Sequence, residues 1–231
     1  MFAVTSKAED TPRLDTAGGA ATRTRSRRDA RRVTAFIVEK DRPGFSIGKL
    51  EHKLGIKGSP TGQPLFEDVR VPAANMIGEP GEGWRVAMTI VSHEREPGEL
   101  GYVARYAKTV KELESAVRAD PGSFRSDQRA AVAWAGVQTE MLRLHVCRRL
   151  SERLDGIDHG PGGSIDKLLM TWVEQTVGAA ALDVSGPTAV TDAEDLALKI
   201  YLYSRAQSVM GGTSQVQKNI VATRILGLPT A

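Results

Sequence analysis

Cysteine is almost absent: Cys147 is the single one in 231 residues, which excludes an internal disulfide and any cysteine-based zinc site. The four histidines (His52, His93, His145 and His159) are scattered without metal-ligand spacing, so no metal is expected. No apolar run approaches the roughly 18 residues that a membrane span needs. No signal peptide is visible either, because the chain turns polar after Phe2 and Val4. No membrane partner and a cytoplasmic location are therefore expected. Nothing repeats internally.

What is there is ordinary for a protein with a core: 41% hydrophobic and 26% charged residues. The length allows one large or two small domains. The net charge is only +3, but it is unevenly spread, with Arg23, Arg25, Arg27, Arg28, Arg31 and Arg32 crowded together. Such a run reads as a solvated loop or as an anion-binding arm. No aromatic residue interleaves with it and no reading motif accompanies it, so no nucleic-acid partner is expected.

Along the chain, Phe2 to Thr5 predict a short strand, and the polar, unpatterned stretch 11–32 predicts a loop. Residues 33–39 are β-branched, aromatic and apolar, as a strand requires. Pro43-Gly44 marks a turn. Shorter strands are expected over 46–50 and 65–71. From Gly83 the character changes to helical spacing over 84–117, interrupted at Pro97-Gly98. Further helices are expected over 125–155, 164–184, 195–210 and 213–226. In the second of these five, Val132, Trp134, Val137, Met141, Leu144, Leu150 and Leu154 carry the apolar pattern. Long helices joined by short loops predict an up-down bundle.

The tail is the most specific stretch. Gly211 and Gly212 open it, where a backbone turns tightly or approaches a ligand. Thr213 and Ser214 are helix N-cap candidates. Val216, Ile220, Val221 and Ile225 follow at helical spacing, and Gly227 and Pro229 stop the helix. A glycine-led helix start suits a phosphate or a polarised carbonyl. A plain terminal helix docked on a bundle explains the same features.

The tail, the block from Leu54 to Trp84 (LGIKGSPTGQPLFEDVRVPAANMIGEPGEGW) and the strand Thr34–Glu39 (TAFIVE) stand in one order and spacing. Together they resemble the flavin-dependent acyl-CoA dehydrogenase family from about residue 33 to residue 229. The resemblance implies an α+β fold, mostly α: a partial β-domain over 1–78, then a helical bundle over 79–231. It also implies that the N-terminal helical domain and much of the middle β-domain are missing. The implied reaction is α,β-dehydrogenation of an acyl-CoA thioester, with FAD taking the β-hydride and an electron-transfer acceptor reoxidising it.

The resemblance also implies the site. Relatives carry the catalytic glutamate either just before the Gly-Thr-Ser block of the tail or on the first bundle helix before an arginine. The first position here is Gly211, which has no side chain. The second is Glu94, followed by Arg95, and Glu94 is the candidate base. A surface helix carboxylate paired with a neighbouring cation would look the same, and Glu96 and Glu99 stand nearby. Arg95 and Gly211 are the candidate substrate-binding residues, the latter through its N–H to the thioester oxygen. Gly212, Thr213, Ser214 and Gln215 are the candidate cofactor-binding residues. Ser59 and Thr61 match a segment near the flavin edge, or serve ordinary turn chemistry.

Departures from the family matter as much. The upstream motifs on which the flavin normally rests are absent, so weak or absent FAD binding is expected of the isolated chain. The arginine–phenylalanine signature of the second bundle helix is not evident. A homo-oligomer, or a hetero-oligomer with a full-length relative, is expected. A non-catalytic bundle subunit is the alternative to an oxidoreductase. Ser164-Ile-Asp-Lys167 matches a serine-hydrolase pattern without its companion motifs, and a helix start explains the serine. Cys147 is expected to be a buried structural thiol.

Overall fold

The structure, a computed structural model, describes residues 2–4, 33–95, 98–157 and 160–229, without the side chains of 2–4, 92–95 and 98–100. The expected loop over 11–32 and its arginine run lie outside the described residues. The chain forms two compact units: Met1–Lys53 with Lys57–Glu94, and Leu54–Ile56 with Arg95–Ala231.

The first unit holds the strands. A three-stranded antiparallel sheet places β2 (Val33–Phe36) between β1 (Phe2–Val4) and β5 (Met76–Ile77). Its register pairs Ala3 with Thr34 and Ala35 with Ile77. Being central, β2 is buried at Val33, Thr34 and Ala35. It ends at Phe36, beyond which the Ile37 N–H donates to the Asn75 carbonyl (2.9 Å) and the Asn75 amide donates to the Ile37 carbonyl (3.0 Å).

A separate hairpin pairs β3 (Phe45–Leu50) with β4 (Gly62–Phe66). The second strand thus runs earlier than the expected 65–71. Asp68 adopts a left-handed φ of 49°, which ends extended structure. Pro64, which has no N–H to donate, sits opposite Ile47, beside a register shift in the ladder. At the open end of the hairpin Gly44 has φ 85°, and a Cβ there would lie 2.0 Å from the Glu67 carbonyl oxygen, so only glycine fits. Helix α1 (Gly83–Arg95) also belongs to this unit, up to Glu94.

The second unit is the bundle: α2 (Gly98–Ala119), α3 (Ser126–Leu154), α4 (Gly163–Ser185), a short α5 (Thr188–Thr191), α6 (Leu196–Ala206) and α7 (Ser214–Ile220). Helix α1 closes at Arg95 and α2 opens at Gly98. The tail helix runs into a π-turn over Val221–Ile225. Helix α4 is central, touching α2, α3, α6 and α7. The core comprises Val103, Tyr106, Val110, Ala135, Leu142, Val146, Val173, Val177 and Ala180. Small residues let the helices approach closely. A Cβ on Gly178 would come 3.3 Å from the Tyr201 Cα.

The antiparallel pair α3–α4 is pinned at both ends. At one end Gln128 donates to the Asp183 carbonyl (2.6 Å) and Arg125 pairs with the Asp183 carboxylate (3.1 Å). At the other, buried Asp166 accepts from Arg149 (3.1 Å) and contacts His145 Nε2 (2.6 Å). Cys147, expected inside, is exposed. The inward positions are Leu142, Val146 and Arg149, and a residue next to Val146 lies about 100° round the helix.

Candidate active site

Glu94 and Arg95 form the end of α1. Their side chains, that of Glu99 in α2, and Glu96 altogether lie outside the described residues. Ser59 and Thr61 are used locally, as the Lys53 ammonium donates to the Ser59 carbonyl and to Thr61 Oγ1 (2.8 Å).

The tail residues form one turn in the bundle unit. Helix α6 ends as the Val209 and Met210 N–H groups both donate to the Ala206 carbonyl at 2.9 Å. Gly211 (φ 64°) and Gly212 (φ 91°) then reverse the chain in a conformation that side chains rarely adopt. The Ser214 N–H returns to the Ser208 carbonyl (3.0 Å), closing the loop. Thr213 caps α7, its hydroxyl accepting from the Val216 N–H at 3.3 Å. Gly211 and Gln215 are exposed, and Gly212, Thr213 and Ser214 partly so. Thus the structure brings together Gly211, Gly212, Thr213, Ser214 and Gln215.

Beneath the turn lie residues that the sequence reading did not connect with the tail. Lys167 on α4 is 7% exposed, and its ammonium donates to the Gln207 carbonyl. Thr171, one turn on, donates to the same oxygen at 3.1 Å. Gln217 is fully buried, and its amide donates to the Gly211 carbonyl at 3.0 Å. A Cβ on Gly211 would lie 4.0 Å from the Lys167 Cε, in ordinary contact. The hydrolase-like pairing of Ser164 with Lys167 is therefore a structural coincidence. Ser164 is buried and Lys167 is engaged with the turn.

A further polar cluster adjoins Gln207. Glu174 on α4 pairs with Arg105 on α2, whose guanidinium lies over the rings of Tyr102, Tyr106 and Tyr203 at 5.0, 5.4 and 4.8 Å. Burial pushes the Glu174 carboxyl above its ordinary range, although Arg105, Tyr106 and the Gln207 amide all pull the other way. The Tyr106 phenol is also pushed up, first by burial and then by the Glu174 charge.

The chemistry of the turn is that of neutral donors: backbone N–H groups, hydroxyls and an amide. That set suits hydroxyl, carbonyl and phosphate oxygens, and so fits the polar parts of a flavin dinucleotide or the oxygen of a thioester.

The model of the acyl-CoA dehydrogenase C-terminal domain matches residues 81–226. The chain belongs to the acyl-CoA dehydrogenase family. Acyl-CoA dehydrogenase IpdE1 of Mycolicibacterium smegmatis is 34% identical over 204 residues, covering 85% of this chain and 49% of that protein. Among solved structures, butyryl-CoA dehydrogenase from Megasphaera elsdenii is similar at 26% identity and a TM-score of 0.70, over 88% of this chain and 54% of that one. PigA, solved with FAD and proline, shares the fold at 23% identity and a TM-score of 0.77, over 86% of this chain and 53% of its own. This family member thus spans about half the length of the relatives it matches. No helix among its described residues is long and apolar enough to cross a membrane.

Proposed function

We propose that this chain acts in the FAD-dependent α,β-dehydrogenation of an acyl-CoA thioester, assembled with further copies of itself or with a full-length relative. The observation that carries the reading is the family match over 81–226, which embraces both Glu94-Arg95 and the glycine turn at 211–212.

The α-proton of a thioester is weakly acidic. Its removal needs a positioned carboxylate, and hydrogen bonds where negative charge gathers on the thioester oxygen. Glu94 is the base, because Gly211 leaves the other family position without a carboxylate. The Gly211 N–H holds the thioester oxygen, and Arg95 binds the substrate beside the base. Gly212, Thr213, Ser214 and Gln215 offer hydroxyl, amide and N–H groups to the cofactor. FAD, when bound, supplies the acceptor for the β-hydride, and a separate electron acceptor restores it. Half the family length leaves the flavin without much of its support, so the isolated chain holds FAD weakly or not at all. A second reading is a bundle subunit that partners a complete relative without turning over substrate itself.

Turnover of acyl-CoA by the assembled protein with FAD and a dye acceptor separates the two. Glu94→Gln keeps the shape and removes the base, and should lower kcat by about 10²–10⁴-fold, leaving acyl-CoA binding near normal. Near-full turnover in Glu94→Gln, with loss in Glu96→Gln or Glu99→Gln, would show the base wrongly assigned. An assembly in which Glu94→Gln and the parent chain turn over equally would favour the non-catalytic subunit.

A further inference from the structure

A glycine pair is a poor place for a fixed hydrogen-bond donor. Gly211 and Gly212 both sit at positive φ, and glycine has the widest backbone freedom of any residue. A donor that stabilises developing charge must nevertheless be held in place before the reaction. The Ser214 N–H to Ser208 carbonyl bond closes the loop but does not hold the two glycine peptides themselves.

The buried side does. Along the chain the Gly211 N–H lies between the Gln207 and Gly211 carbonyls, and each of these is gripped by a side chain under the turn. On the entering side, the Lys167 ammonium donates to the Gln207 carbonyl, and the Thr171 hydroxyl shares its one proton between that oxygen (3.1 Å) and the Lys167 carbonyl (2.8 Å). On the leaving side, Gln217 donates to the Gly211 carbonyl. In a trans peptide the carbonyl and the following N–H point opposite ways. Drawing the Gly211 oxygen toward fully buried Gln217 therefore fixes the peptide that follows Gly211, and so anchors the chain directly beyond the Gly211 N–H. Lys167 is a costly choice for a structural strut, since burying an ammonium is unfavourable without strong hydrogen bonding. A charge-assisted bond to a carbonyl is also stiffer than a neutral one.

We propose that Lys167 and Gln217 are positioning residues, a two-point clamp that holds the glycine turn so that the Gly211 N–H meets the thioester oxygen. This rests on the proposed role of the Gly211 N–H, and the test separates the two ideas.

Octanoyl-CoA and S-octyl-CoA carry the same CoA and chain and differ only in the thioester oxygen. Their affinities for the purified chain, in the assembly it forms, are measured by titration calorimetry for the parent protein, Lys167→Met and Gln217→Met. The parent should favour octanoyl-CoA by roughly tenfold, the worth of one good hydrogen bond. Both variants should bring that ratio to about one, with S-octyl-CoA affinity changed less than about twofold. A general loss of packing would weaken both ligands alike and overturn the clamp. So would a retained ratio in both variants, which leaves the Gly211 contact standing without it. A variant that loses its helical circular dichroism would show its residue to be structural and likewise overturn the positioning role. If the parent protein does not discriminate between the two ligands, the Gly211 contact itself falls, and the clamp falls with it.

Discussion

Glu174 is 2% exposed, and its partner Arg105 keeps part of its guanidinium in water. Desolvation outweighs the arginine, and the carboxyl of the folded protein holds its proton more tightly than that of the unfolded chain. Stability from this group is complete below the ordinary carboxylate range and is lost as pH rises through the raised folded value. Glu174→Gln keeps the shape and the hydrogen bonding without the charge. In urea unfolding between about pH 4 and pH 7, the parent should lose stability relative to Glu174→Gln as pH rises. A difference that stays constant across that window would refute the assignment. Arg105→Met should have the opposite character. It strands the carboxylate and costs about 2–3 kcal/mol near neutral pH, below the range for a fully buried pair because Arg105 is half exposed. Its cost should shrink in acid.

Among the helices, two N-caps of unequal quality can be compared. Asp195 accepts from both the Ala197 N–H (2.8 Å) and the Leu198 N–H (3.1 Å), whereas Thr213 makes one long bond to Val216. Asp195→Ala should cost about 1–2 kcal/mol and Thr213→Ala about 0.5 kcal/mol, read from chemical denaturation midpoints. The helices themselves were legible in the sequence, because Gly and Pro punctuate them at 97–98, 120–122, 160–163 and 185–187. Which face of a helix turns inward was less so. Helix α3 carries two stripes. Trp134, Val137, Met141 and Leu144 advertise a core face, yet they lie on the surface. The inward stripe runs Gln128, Val132, Ala135, Gln138, Leu142, Val146 and Arg149. Bulk and hydropathy point to the first stripe. Only the tertiary partners, among them Asp183 for Gln128 and Asp166 for Arg149, make the second a place for polar side chains. The site was legible in the same uneven way. The tail glycines and the Thr213 cap announce a turn, but Lys167, Gln207 and Gln217 look like any surface polar residues until the fold buries them.

For the molecule as a whole, the stripe left outside on α3 has a consequence for assembly. Trp134, Val137, Met141 and Leu144 are each about half exposed, and Trp172 on α4 adds to them across a groove that Ala131 and Ala179 also line. An apolar surface of this extent favours association. The parent chain should scatter light as an oligomer at micromolar concentration, and Met141→Asp with Leu144→Asp should lower that mass without changing helical content. A clean parent monomer would rule this face out as an interface. The same surface makes the protein's own light a reporter. All three tryptophans, Trp84, Trp134 and Trp172, are about half exposed, while the buried aromatic of the bundle is Tyr106. Indole emission in this protein therefore senses what touches its outside and is nearly blind to its core. Dilution through the assembly equilibrium should shift the emission to the red. Unfolding of the separated chain should move it far less than is usual for a tryptophan-containing protein.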